Sequence, residues 1–278
     1  MKKPKTSELN RRQFLRNSAV AVVSLTAVGV GANYLKKLNV ENSKALLRPP
    51  GAVNEDEFVY ACIKCGLCVQ ICPIEAIKLA GIKDGLSYGT PYIDPREQAC
   101  DFSCDAMQCI ETCPTSALDF IPFKKAGEDA FVAYQKANPT PGKDYNPIAI
   151  QSKAMKSHTK MGVAVINHKT CFARNGKGFK GSPREDGFDG IYRSPNPKRK
   201  ERKASAVNEH QFDREICDLC VTECPIGETA IVMEEKITQN GQKISGPIIK
   251  DGCTGCGVCV MVCPSTPDTI IIEKLETA

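Results

Sequence analysis

The sequence predicts an α+β fold built from four short repeats, gathered into two pseudo-twofold modules that carry long loop insertions. Three observations point there. The pattern Cys-x-x-x-Cys-Pro occurs four times, at Cys68–Pro73, Cys109–Pro114, Cys220–Pro225 and Cys259–Pro264. Each copy is flanked by short aliphatic or β-branched runs, suited to strands of small hairpins packed on helical turns. Aromatic residues make up 6% of the 278-residue chain, with no tryptophan, too few for a large conventional core. Sixteen cysteines stand in their place, and small units with thin cores need covalent or metal staples.

The most regular repeat closes the chain. Cys253, Cys256, Cys259 and Cys263 are separated by 2, 2 and 3 residues and followed by Pro264. That is the spacing of a bacterial [4Fe–4S] ferredoxin motif, whose fourth cysteine ligates the neighbouring cluster. A structural zinc site would use two CxxC pairs far apart. Gly255 and Gly257 would let the backbone approach inorganic sulfur, and Pro264 suits a sharp turn after the last ligand. The first unit reads as a lead-in strand over Phe58–Ala61, then Cys62, Cys65, Cys68 and Cys72 at the same spacing, then an apolar run to Leu79. The second has Cys100, Cys104, Cys109 and Cys113, separated by 3, 4 and 3 residues, followed by Ser116–Phe120. The third ends in Cys217, Cys220 and Cys224 and runs into Ala230–Met233. The fourth is led in by Pro247–Lys250 and followed by Thr269–Ile272.

The third unit lacks its first cysteine. Cys171 supplies it, preceded by the alternating stretch Gly162–Asn167. The alternative is a structural cysteine beside a three-ligand cluster. With Cys171 included, sixteen cysteines divide into four sets of four, and the expected cofactors are four [4Fe–4S] clusters in tandem ferredoxin-like units. Units 1 and 2 then occupy residues 58–121. A connection over 122–161 holds one short helix around Phe131, Val132 and Tyr134. Unit 3 covers 162–234 with an insert at 172–216, and unit 4 covers 235–278. The insert has 11 Lys/Arg against 7 Asp/Glu and no apolar periodicity, so it reads as a long surface excursion. Its Gly176–Gly181 stretch spells G-x-G-x-x-G but lacks a strand-to-helix context, and Pro183 follows. Its basic run Arg193–Lys203 reads as a solvated face; docking of an acidic partner is the alternative.

The N-terminus is read as an address. Arg11-Arg12-Gln13-Phe14-Leu15-Arg16 resembles the twin-arginine export consensus. From Asn17 to Leu35 there is no charged residue, and the stretch reads as a signal over 1–35 that persists as an anchor if it is not cleaved. A polar linker follows over 36–57. Twin-arginine export carries folded proteins, so clusters inserted beforehand would protect thiols that an oxidising compartment otherwise turns into disulfides. The formal charge of +5 does not point to nucleic acid: each cluster with four thiolates carries about −2, so four contribute roughly −8. The histidines, His158, His168 and His210, stand singly; His168 lies near enough to Cys171 in sequence to tune a cluster, but a surface role is the plainer reading. There is no P-loop, H-E-x-x-H or G-x-S-x-G. A full complement of cysteine ligands leaves no iron open to substrate, so an electron-transfer subunit is expected rather than a stand-alone enzyme. A cluster enzyme with one three-cysteine site and a zinc-binding interaction protein are the competing readings.

The export signal, the four motifs and Gly85-Leu86-Ser87-Tyr88-Gly89-Thr90-Pro91-Tyr92-Ile93 together resemble the NapG/MauM family of ferredoxin-type proteins, over most of the chain. The resemblance implies a periplasmic protein working with a membrane iron–sulfur, quinol-oxidising partner of the NapH kind. Electrons would pass towards a c-type cytochrome or a periplasmic reductase, in nitrate respiration. A ferredoxin-type subunit of another periplasmic oxidoreductase, of methylamine dehydrogenase or of a molybdoenzyme, is the alternative. The 172–216 insert departs from the family pattern. Similar four-cluster subunits imply a nested exchange of last cysteines. Cys62, Cys65 and Cys68 would then pair with Cys263, and Cys253, Cys256 and Cys259 with Cys72. Cys100, Cys104 and Cys109 would pair with Cys224, and Cys171, Cys217 and Cys220 with Cys113. The competing scheme pairs unit one with two and three with four.

Overall fold

Residues 46–275 are described by the computed structural model, apart from 105–106, 141, 143–144, 196–202 and 238–242. The stretch read as an export signal, the first ten residues of the linker and the heart of the basic run therefore lie outside the described residues.

The first helix, α1 (Glu55–Ala61), stands where a lead-in strand was expected. Asn54 caps it by accepting from the Glu57 amide, and Glu55, Asp56 and Glu57 fill its first turn. Those acids suit a helix N-terminus and outweigh the β preference of Val59. Next come α2 (Leu67–Gln70), β1 (Lys78–Leu79), a 3-10 segment over Ile82–Ser87, β2 (Pro91–Tyr92) and α3 (Gln108–Glu111). The connection holds two helices, α4 (Ile121–Ala137) and α5 (Pro147–His158), where one short helix was expected. They pack on each other, with Gly127 close against Met155. The second half runs β3 (Gly162–Ile166), β4 (Phe179–Gly181), β5 (Ile191–Tyr192), β6 (Ser205–Ala206), β7 (Phe212–Arg214), α6 (Leu219–Thr222), β8 (Ile231–Ile237), β9 (Lys243–Ile249), α7 (Val258–Met261) and β10 (Ile270–Lys274).

The strands form antiparallel pairs rather than one sheet, and the pairing repeats. In the second half β8, after one motif, pairs with β9, before the next, through Ile231↔Ile249. β3 and β10 close the outside, with Ile166 opposite Ile270. In the first half β1 and β2 occupy the inner place, with Lys78 opposite Tyr92. The outer place shrinks to one bridge, Ala52↔Leu118, flanked by Val53 N–H donating to Ala117 and Asp119 N–H to Gly51. Short strands of this kind have little independent stability, so each half depends on what fills its centre and on the other half.

The insert is not a surface excursion. Its short sheets, β4–β7 and β5–β6, and the 3-10 turn Val207–Glu209 carry Tyr192, Val207 and Phe212 into a core cluster shared with Phe58, Ile110, Leu219 and Met261. These apolar residues are spaced singly, so no periodic signal betrays them. Tyr192 Oη donates to the buried Glu223 carboxylate at 2.7 Å, and Ser194 Oγ donates at 2.6 Å. Gln98, in the first half, exchanges two hydrogen bonds with the Ile191 backbone, at 2.7 and 2.9 Å. The Arg193 amide donates to Asp101. The insert is thus a strap between the halves.

Two charged groups complete the join. Arg96 donates through Nη1 to the Val260 and Cys263 carbonyls, each at 3.1 Å, and pairs with Asp268 through Nε at 2.9 Å. Glu55, on α1, accepts from Arg48 and from Lys274 of β10, the latter at 2.6 Å. Burial by itself would raise the Glu55 carboxyl, but the hydrogen bonds and charges of Arg48 and Lys274 outweigh it and hold the group below the usual range. A depressed folded-state pKa stabilises above the unfolded value and loses that contribution as pH falls through the folded one. Glu55→Gln should therefore cost about 1 kcal/mol at pH 7 in urea unfolding, with a gap from wild type that narrows below about pH 4. A gap independent of pH would remove the ionic part of this clamp.

Candidate iron–sulfur sites

Each motif ends in one helical turn, α2, α3, α6 or α7, that begins just before its third cysteine. The turns stop because a proline follows the last cysteine, and residues before proline are biased out of the α region. Three of the four turns start from a left-handed residue: Gly66 (φ 75°), Met107 (φ 54°) and Gly257 (φ 86°). Met107, buried, accepts there a conformation that glycine takes more readily. Gly257 also presses on Pro95, and Gly255 (φ 71°) on the Gly162 backbone. These glycines therefore serve close contact between protein segments, beyond the approach to sulfur inferred from sequence.

The cysteines converge in fours. Cys62, Cys65, Cys68 and Cys113 line one hollow of about 380 Å³, with Phe58, Ile63, Leu67 and Leu118. Cys171, Cys217, Cys220 and Cys263 line another of about 360 Å³. Cys224, Cys253, Cys256 and Cys259 line a third of about 340 Å³, among Ala164, Ile231, Ile249 and Ile272. Cys72 joins Cys100, Cys104 and Cys109: burial raises the Cys109 thiol, and the Cys104 and Cys72 sulfurs raise it further. Helical turns pack accordingly, α2 on α3 and α6 on α7.

This overturns the nested exchange. Cys113, not Cys263, completes the first motif's set, and Cys72 serves the second motif rather than the fourth. Cys224 and Cys263 exchange in the same way between the third and fourth. The cause is topological: the inner and outer strand pairs close each half upon itself, so a last cysteine meets only the motif within its own half. Cys171 takes the place expected of it, as first member of the third motif's set. His168 is exposed on the turn before it.

Burial raises several of these thiols. It raises Cys68 to about 11, with Cys62, Cys65 and Cys113 adding to the effect. Cys217 is raised to about 11 and Cys256 to about 12, again by burial first. Cys68, Cys217 and Cys256, raised in this way, ionise when cations replace their protons. The donor set is all sulfur, and no group of three or more Cys, His, Asp or Glu among the described residues is placed to hold a single ion. Zinc–sulfur bonds of about 2.3 Å would draw four sulfurs onto one centre. All-thiolate sets ringing a wider hollow suit a multi-iron group.

The sequence reading missed the partners of sulfur. Ser265 Oγ lies 3.1 Å from Cys263 Sγ while accepting from the Thr269 amide, which leaves its proton for the sulfur. Thr115 stands at the same offset from Cys113, at 3.8 Å. Units one and three carry Ile74 and Ile226 there instead. The signal was present as a hydroxyl two residues past the last cysteine of alternate repeats. Backbone amides of Ala76 and Leu118 also donate to Cys72 and Cys113 sulfurs, at 3.3 and 3.5 Å.

Comparison with known proteins agrees with this division into halves. The family model for the 4Fe-4S dicluster domain matches residues 61–131 and 215–266. The chain is 30% identical over 272 residues to the ferredoxin-type protein NapG of Escherichia coli (strain K12), covering 96% of this chain and 87% of that protein. The methylamine utilization ferredoxin-type protein MauM of Methylorubrum extorquens is also 30% identical, over 95% of this chain and 87% of its own. MauM of Paracoccus denitrificans is 29% identical over 91% of this chain and 84% of its own.

The chain belongs to the NapG/MauM family of ferredoxin-type proteins.

No solved structure matches it. As a NapG/MauM protein it is a ferredoxin-type electron-transfer protein with 4Fe-4S dicluster domains. Neighbouring sets within each half lie close enough to interact. The Cys109 thiol feels Cys68 of the first motif's set, and the Cys259 thiol feels Cys220 of the third's. Between the halves, Cys100 N–H donates to the Cys256 carbonyl at 3.1 Å. The order through space is therefore first motif, second, fourth, third. Cys72→Ala and Cys104→Ala should lose the same component of the reduced EPR spectrum. If Cys72→Ala instead shared its loss with Cys256→Ala, the exchange within halves would be wrong.

Proposed function

We propose that this protein is a periplasmic relay holding four [4Fe–4S] clusters, which carries electrons from a membrane quinol-oxidising partner towards a nitrate-reducing system. The observation that carries the reading is the unbroken succession of four-cysteine sets, joined between halves by the Cys100–Cys256 hydrogen bond. A bound [4Fe–4S] cluster takes up and gives out one electron at a time, at a potential set by burial, nearby charge and hydrogen bonds to sulfur. The chain's own residues supply those conditions. Sixteen thiolates hold the iron and leave no coordination position for a substrate. Ile231, Ile249 and Ile272 keep water from the fourth motif's set, and Ser265 and Thr115 offer hydroxyls to sulfur at the two outermost sets. Close packing between rigid turns limits reorganisation on transfer.

Similarity to MauM equals that to NapG, at 30% identity, so a role beside methylamine dehydrogenase, or as a molybdoenzyme β-type subunit, is the second reading. A NapH-like membrane protein as donor, and a c-type cytochrome or periplasmic reductase as acceptor, follow from the first. The domain division also follows: two modules joined by the α4–α5 connection and strapped by the insert. Among the described residues no helix is long and apolar enough to cross a membrane. Membrane association would come from the partner or from Asn17–Leu35 if that stretch is retained.

Anaerobically purified protein should contain about sixteen iron and sixteen sulfide per chain, with four cluster spins on full reduction. Colourless protein containing zinc, or a three-iron signal as isolated, would turn the assignment towards the competing readings. Replacing Arg11 and Arg12 by lysine should leave holoprotein in the cytoplasm on fractionation; unchanged export would exclude the twin-arginine route.

A further inference from the structure

The surface around the first motif's set differs from the rest of the molecule. Cys65 is the exposed member of the sixteen cysteines. Ile63 and Leu67 beside it are 63% and 40% exposed and line the same hollow as Leu79. The 3-10 segment extends this face with Ile82 (85% exposed), Leu86 (79%) and the following Tyr88. Lys64 links the two parts, its Nζ 5.8 Å from the Tyr88 ring centre. Single exposed aliphatic residues are ordinary, but a contiguous apolar face marks an interaction site. At the far end of the relay Cys171, Cys220 and Cys263 are buried, and Ile216 is the nearest exposed aliphatic residue in sequence.

The described chain begins against this same face. Arg48 donates to Ser87 Oγ at 3.0 Å and to Thr90 Oγ1 and the Pro91 carbonyl at 2.9 Å, and the Leu47 carbonyl accepts from Ile93. Ten residues, 36–45, separate the uncharged stretch ending at Leu35 from Leu46, a reach of about 35 Å when extended. A membrane entered by that stretch would therefore lie within about 35 Å of Leu46.

We propose that this face docks a membrane-held redox protein whose contact surface is apolar, with acidic groups opposite Lys64 and Lys83. The inference rests on the electron-relay reading. A redox protein is the occupant because the face adjoins the relay's exposed ligand. Lipid could cover Ile82 and Leu86 but brings no electron to Cys65. An apolar contact around that point excludes water, as interface cores do. Each transfer oxidises the partner by one electron and reduces this protein by one; a quinol oxidised by the partner gives two electrons in succession and leaves its two protons on the partner's side.

The test uses full-length holoprotein and native membranes reduced with duroquinol, with cluster bleaching followed by stopped flow. Ile82→Glu/Leu86→Glu should keep wild-type iron content and wild-type reduction by dithionite. Its reduction by the membranes should be slower by about tenfold or more, while Ile216→Glu reacts like wild type. Equal rates for the double variant, or slowing in Ile216→Glu alone, would overturn the proposal. So would wild-type binding to protein-free phosphatidylglycerol vesicles that the double variant loses in parallel with its rate, since lipid would then be the occupant. Wild-type protein that dithionite reduces but the membranes never do would instead bring down the relay reading itself.

Discussion

The last cysteine of each motif belongs to its neighbour's set, and much else in the structure follows from that exchange. Two motifs must lie face to face, so α2 packs on α3 and α6 on α7. The strands around them must turn each half back on itself, which the inner and outer pairings do. Because the exchange occupies the centre of each half, little conventional core is needed there. The missing tryptophan and the scarce aromatics are a consequence rather than a defect.

The larger apolar core lies between the halves, and a smaller one around Ala164, Ile231, Val260 and Ile270 lies within the second. Phe58 and Ile110 from one side meet Met261 and Leu219 from the other, with Tyr192 and Val207 of the insert between them. Arg96 then fastens the first half to carbonyls on either side of the last motif's end. Such an arrangement divides the labour. Sulfur sets hold each half together, and hydrophobic burial with a few charged hydrogen bonds holds the halves in register. The backbone bond from Cys100 to Cys256 sits at that seam, so the closest approach between sets of different halves is fixed by the most regular interaction proteins have.

Much of this was legible in the residues. The four motif turns, the strands β3, β8, β9 and β10, and Cys171 as a displaced first member follow from spacing and alternation. What escaped did so for physical reasons. At Phe58–Ala61 a capping asparagine and three acids overrode a weak strand pattern. The α4–α5 pair buries mainly Phe123, Gly127, Ser152 and Met155, too narrow a stripe to announce two helices. The insert's buried residues are separated by charged and turn-forming ones, so its share of the core is invisible without the fold. Pairing of the sets was carried over from similar proteins, and motif spacing is silent on which motifs face each other. Strand closure within each half decided it.

The exchange of last cysteines also orders the making of the protein. No set is complete until the second motif of its half has left the ribosome, because Cys113 is needed by Cys62 and Cys263 by Cys171. The first half can take up its iron while the second is still being synthesised. The second must wait for Cys263, and its outer strand β10 for residues beyond it. A ribosome that stalls or a chain that is cut before Cys263 would thus leave one loaded half and one in which the buried Cys171 and Cys220 lack a member of their set. Full iron loading of the second half therefore reports that Cys263 has been made.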